Sequence, residues 1–156
     1  MNQYTQQKFV GERALFQSRD LELSYCTFAD GESPLKESKN LKIENCLFQW
    51  KYPLWYCRNV EVKHSTMFEM ARAGIWYTDH ISMEDITYQA PKGFRRCKDV
   101  VLKDINFPNA AETLWNCSQV KMQNVTAKGD YFAMGSSDME ICLLYTSPSP
   151  RDGATS

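Results

Sequence analysis

Apolar residues recur along this chain at nearly constant intervals: Leu21, Leu41, Val60, Ile81, Val100, Val120 and Met139, in steps of 20, 19, 21, 19, 20 and 19 residues. A second column follows two positions later, at Leu23, Ile43, Val62, Met83, Leu102, Met122 and Ile141. A fixed period of this length marks one structural unit stacked on copies of itself. Inside each unit, Leu21-Glu22-Leu23, Leu41-Lys42-Ile43 and their equivalents alternate apolar and polar. That is the period of a strand with one buried face. A polar turn residue comes next, at Asn45, His64, Asp85, Asp104 or Asn124. Asn and Asp tolerate left-handed backbone angles and suit tight bends. A second short strand follows, as in Cys46-Leu47-Phe48 or Ile105-Asn106-Phe107, and a third begins six residues before the first column, at Leu15, Leu35, Leu54, Ile75, Phe94 and Leu114. Phe132 lies seven residues before Met139, which suggests one extra residue in the last unit.

Three short strands per unit predict an all-β chain, a right-handed parallel β-helix of about six to seven coils. A leucine-rich repeat has a similar period, but it requires an LxxLxLxxN unit and a helical return. The return segments here are rich in Phe, Tyr, Thr and Cys and show no helical stripe. The expected boundaries are an N-terminal extension or cap over 1–12 and the β-helix over 13–141. Residues Cys142–Asp152, CLLYTSPSPRD, back-translate with permitted codons into something resembling read-through of a sequencing-library adapter. On that reading 142–156 is a non-native, disordered tail, and the β-helix is truncated at its C-terminal end.

Composition narrows the function classes. The net charge is −1, which gives no general attraction for nucleic acid. No apolar run approaches a membrane span. The opening MNQYTQQKFVGER has no apolar signal region, so a cytoplasmic location is expected. Cys57, Cys97 and Cys117 share one register of the repeat, and Cys26 and Cys46 share another. Without a CxxC pair or a dense acidic cluster, neither metal nor cofactor is expected. The thiols read as small, buried, reduced side chains, with Cys26 and Cys46 near enough for a disulfide only in an oxidising compartment. His64 and His80 fall on turn positions held elsewhere by Asn and Asp, so they read as turn residues rather than bases.

The phrases GESPLKES (31–38), KYPLWY (51–56), ARAGIWYT (71–78), APKGFRRC (90–97), ETLWNC (112–117) and AKGDYF (127–132) occur in an order that resembles one bacterial family, domain of unknown function 3737. The resemblance spans about Gly11 to Ile141. It implies a right-handed β-helix of pectin-lyase-like type, and it supplies no activity and no catalytic positions.

Those phrases share one part of each unit, so stacking aligns them. One column reads Phe16, Lys36, Trp55, Trp76, Arg95, Trp115, Ala133, and the next reads Gln17, Glu37, Tyr56, Tyr77, Arg96, Asn116, Met134. Alternation turns the first column outward and the second inward. Glu37 and Arg96 do not suit an interior, so either the strand bends there or the charges lie near a turn. Aromatic rings interleaved with cations on a long face suit a carbohydrate-like polar ligand, a polysaccharide or oligosaccharide. The candidate ligand-binding residues are Lys36, Trp55, Arg72, Trp76, Arg95 and Trp115. If the face is catalytic, Glu112 and Asp130, at equivalent turn positions of adjacent coils, supply the carboxyl pair of a glycoside hydrolase, or Arg96 serves a polysaccharide lyase. The third alternative is a non-catalytic solenoid whose stacked aromatics serve the fold or dock a protein.

Overall fold

The computed structural model describes residues 2–147. Its strands are β1 (Asn2–Thr5), β2 (Lys8–Phe9), β3 (Arg19–Ser24), β4 (Thr27–Phe28), β5 (Lys39–Glu44), β6 (Leu47–Phe48), β7 (Leu54–Trp55), β8 (Arg58–Met67), β9 (Ile75–Trp76), β10 (Asp79–Tyr88), β11 (Phe94–Arg95), β12 (Lys98–Phe107), β13 (Ser118–Lys128) and β14 (Ser137–Ser147). They stack as a parallel β-solenoid, in the order β1-β3-β5-β8-β10-β12-β13-β14. The third arms form a separate small sheet, β11-β9-β7, which Trp115 extends through a single parallel bridge to Arg95. Registers match the sequence columns: Leu41 lies beside Val60, Val60 beside Ile81, and Ile81 beside Val100. Among the described residues no helix is long and apolar enough to cross a membrane.

Left-handed residues turn each coil. Asn45, His64, Asp85, Asp104 and Asn124 hold φ between 51° and 58° at the first corner. The two arms they join count as one long strand in β8, β10, β12 and β13, so the predicted first and second strands are halves of a bent ribbon. The spacing from the first arm to the second is invariant, as in Leu41 to Phe48 and Ile81 to Tyr88. The spacing from the third arm to the next first arm is invariant too, as in Leu54 to Val60. All variation in the period lies in the corner between second and third arms. It is tight from Phe48 to Leu54 and longer by two residues from Met67 to Ile75.

Two boundaries differ from the sequence reading. The segment 1–12 is not a separate cap over the described residues: β1 and β2 form a full coil, so eight first arms stack rather than six or seven. The polar Asn2 occupies the place of Leu21, which hides this coil from a hydrophobic count. At the other end, pairing does not stop at Ile141. β14 runs to Ser147, with Cys142 beside Gln123 and Leu144 beside Val125. Leu144 supplies the inward apolar residue that the register requires. The fit is poor elsewhere: Leu143 takes the left-handed corner at φ 63°, and Ile141 and Leu143 are 51% and 58% exposed. Residues 148–156 of the expected tail lie outside the described residues.

The interior is a set of vertical columns. The second-arm column stacks Phe9, Phe28 and Phe48 with ring centroids 5.1 and 4.9 Å apart, then continues through Met67, Tyr88 and Phe107. The five cysteines of the repeat are free and buried. Burial pushes the Cys46 thiol up to about 11 and the Cys57 thiol up to about 12. Cys57 shares its column with Ser38 and Thr78, and each of the three donates to a third-arm carbonyl one coil away: Ser38 to Leu15, Cys57 to Leu35, Thr78 to Leu54. Hydroxyls and thiols are interchangeable donors here, which the cysteine register alone did not reveal.

Tyr88 breaks the pattern. Its ring is fully buried, and its hydroxyl has no hydrogen-bond partner among the described residues. A Cβ added to Gly74 would lie 2.5 Å from that hydroxyl, and one on Gly93 would lie 3.1 Å from the ring, so both glycines make room for it. An orphaned buried hydroxyl costs about 1–3 kcal/mol. Tyr88→Phe is therefore expected to raise the unfolding free energy by about 1 kcal/mol or more in guanidinium titrations. An unchanged or lower midpoint would refute this account.

Candidate functional site

The candidate face lies on the third arm and the corner after it. Leu54, Ile75, Phe94 and Leu114 point inward and are fully buried. Their successors Trp55, Trp76, Arg95 and Trp115 therefore turn outward and are half-buried. Trp55 and Trp76 stack at 4.8 Å with planes 7° apart. The Arg95 guanidinium continues the pile, 4.7 Å from the Trp76 ring and 5.8 Å from the Trp115 ring. The indole edges are tied to the neighbouring coil that follows: Trp55 Nε1 donates to the Ala73 carbonyl, and Trp76 Nε1 to the Lys92 carbonyl at 2.9 Å. Trp55 covers one face of Trp76 and Arg95 covers the other, so that ring has no open face for a sugar.

The structure brings together four of the expected ligand-binding residues, Trp55, Trp76, Arg95 and Trp115. Lys36 lies at the edge, with Nζ 6.0 Å from the ring of Tyr56 rather than over Trp55. Arg72 is exposed on the preceding corner and contributes nothing to the stack. A narrow cleft of about 50 Å³ between Trp76, Lys92, Arg95 and Glu112 has room for little more than water.

The expected carboxyl pair does not form on equivalent rungs. Glu112 N donates to the Asp130 carbonyl, so the residue level with Glu112 is Tyr131, and both hold left-handed angles. The Glu112 carboxylate instead sits 3.7 Å from Lys92 Nζ. The extra residue inferred for the last unit is also absent. The Cys117 amide donates to Ser136 Oγ and the Asn116 amide to the Met134 carbonyl, so Ala133 follows Leu114 and Phe132 fills the place of Thr113. Met134 and Gly135 thereby replace Ala133 and Met134 at the ends of the two outer columns.

The residues after the outward arm form the second corner. Gln17, Glu37, Tyr56, Tyr77, Arg96 and Asn116 all adopt φ between 49° and 60°. The bend overrides alternation, so this column faces solvent instead of the core. Tyr56 and Tyr77 are 51% and 37% exposed and stack at 4.9 Å. Neither residue is an Asn or Gly, so sequence reasoning had no turn signal for them beyond the misplaced charges of Glu37 and Arg96.

The two histidines are turn-ladder members, as their register suggests. His64 Nδ1 lies 2.7 Å from Asp85 and His80 Nδ1 lies 2.6 Å from Asp99, each pair joining adjacent coils. The hydrogen bond to Asp85 raises the pKa of His64.

Residues 2–147 match a family model described as Protein of unknown function (DUF3737). The chain belongs to the DUF3737 family. No curated protein matches it. In this DUF3737 chain the match covers the eight stacked first arms, including the first coil that the apolar period does not show.

Proposed function

We propose that this chain is a non-catalytic β-solenoid that holds an extended, carbohydrate-like polar ligand along its second corner. One observation carries the reading. Lys36, Tyr56, Tyr77, Arg95 and Arg96 line one side of the rod, and their polar ends take no hydrogen bond or ion pair from any described residue. Stacking spaces successive coils at about 4.8 Å, so a linear ligand meets one of these donors on each of the coils from Lys36 to Arg96. Recognition then rests on hydrogen bonds and charge at the ring edges, because Trp55 and Arg95 cover the two faces of Trp76. Catalysis has weaker support, since Glu112 is engaged by Lys92 and its rung neighbour is a tyrosine.

A glycan array followed by calorimetry tests the reading. The double variant Tyr56→Ala/Tyr77→Ala is expected to weaken the best-bound oligosaccharide at least about tenfold, roughly 1.4 kcal/mol, with an unchanged circular dichroism spectrum. An array without a hit, or a variant that binds like wild type, would defeat it. The filled tryptophan stack favours a second reading, in which the ladder serves only the fold. Under that reading Trp76→Ala lowers stability and no glycan binds.

A further inference from the structure

In two outward columns of the first arm, charges alternate in sign from coil to coil. Glu22, Lys42 and Glu61 lie side by side in register. So do Glu44, Lys63, Glu84 and Lys103. Such alternation lets neighbouring rungs attract, whereas like charges directly opposite one another destabilise a sheet. Arg19, Lys39 and Arg58 break the rule: three cations occupy consecutive rungs of one column, until Asp79 closes the run. Ion pairs among the described residues engage Lys63, Lys92, Lys103 and Lys121, and none engages Arg19, Lys36, Lys39 or Arg58.

The uncompensated column opens onto a cleft. Arg19, Lys36, Glu37, Lys39 and Tyr56 line a shallow hollow of about 490 Å³. Arg19 is held in place there: Nη1 donates to the carbonyls of Ser18 and Glu37 at 3.0 and 2.9 Å. Its remaining N–H groups stay available to a ligand. The Glu37 carboxylate opposes an anion, but it accepts from Gln17 Nε2 at 3.4 Å. The other nearby carboxylate, Asp20, accepts from Asn40 Nδ2 at 2.9 Å. Three cations, Arg19, Lys36 and Lys39, therefore line the hollow with one carboxylate, Glu37, and Arg58 stands on the next rung, in a chain whose net charge is −1.

We infer that this cleft binds an oxyanion, a carboxylate or sulfate group carried on the carbohydrate chain. The inference rests on the ligand-binding reading above and deepens it: the ligand is anionic, and its anchor is Arg19, Lys36, Lys39 and Arg58 rather than the tryptophan ladder. A guanidinium fixed by backbone carbonyls can present two N–H groups to a pair of oxygens on either group. Bound charge relieves the repulsion along the column. Asp79 limits the site to the first coils, so the ligand enters at that end and runs along Tyr56 and Tyr77.

Dextran, carboxymethyl-dextran and dextran sulfate share one backbone and differ in charge, so they separate the two claims. The charged polymers are expected to bind at least about tenfold more tightly than dextran, with an affinity that falls steeply between about 0.05 and 0.5 M salt. The tighter of the two names the anionic group. Lys39→Gln/Arg58→Gln, which leaves the anchored Arg19 intact, should remove most of that difference while circular dichroism stays unchanged. Equal binding of all three polymers would overturn the anionic inference and leave the carbohydrate reading standing. Charged polymers that bind the double variant as well as wild type would also overturn it. If no dextran binds but a single-stranded oligonucleotide does, both readings fall.

Discussion

Phe48→Ala should lower the unfolding free energy by about 3–5 kcal/mol. Phe48 is fully buried and lies flat on Phe28, with centroids 4.9 Å apart and planes 4° from parallel. On its other side the column passes to Met67, which is equally buried. Truncation removes one disc from a continuous pile. The coils on either side remain tied by backbone hydrogen bonds, such as Gln49 N to Phe28 O and Phe68 N to Phe48 O, so they cannot close the gap. A cavity therefore adds to the lost transfer energy. Phe48→Leu should cost much less, about 1 kcal/mol, since most of the volume is kept. Guanidinium titrations followed by tryptophan fluorescence supply the measurement. A loss below about 1 kcal/mol for the alanine variant would mean that the column does not hold the coils together.

Gly31→Ala should be of similar size, about 3–5 kcal/mol, by a different route. Gly31 has φ 149°, a conformation open to glycine and strained for alanine. A Cβ there would lie 2.1 Å from the Gly11 carbonyl oxygen and 2.4 Å from its carbon. Backbone, unlike a flexible side chain, cannot swing aside. The first two coils must separate at this corner, where Gly11 N donates to Asp30 O at 2.7 Å. Contacts in a solenoid are with nearest neighbours, so the damage should stay local. Hydrogen exchange is expected to speed up at the amides of Gly11, Arg13 and Leu15, while those of Ile75 and Tyr77 stay protected. Gly11→Ala is the control, because its added Cβ would meet nothing within 4 Å and only the φ cost remains. Equal effects from the two variants would contradict the collision argument.

The apolar columns were legible because each inward position repeats at the same place in the coil. Leu41, Val60 and Ile81 had to become neighbours once the period was seen. The first coil was not legible, because Asn2 stands where the count looked for an aliphatic residue. The face itself was half legible. Outward Trp55, Trp76 and Trp115 followed from alternation, but Tyr56 and Tyr77 did not. Their left-handed angles come from the coil geometry and not from an intrinsic preference of tyrosine. Equivalence of Glu112 and Asp130 failed for a related reason: Phe132 resembled the inward anchor, yet Ala133 holds that place and the register shifts by one. The cation run of Arg19, Lys39 and Arg58 stands at a fixed offset before Leu21, Leu41 and Val60. It was readable in principle and was masked by the more conspicuous tryptophans.

Length variation confined to the corner between second and third arms divides the molecule into a constant frame and an adjustable margin. The Met67–Ile75 link is longer than the Phe48–Leu54 link, yet Met67 still meets Phe48 and Ile75 still meets Leu54. Residues can thus be gained or lost at that margin while every interior side chain keeps its address. The same change inside a first arm would transpose an entire level and present its hydrocarbon to water.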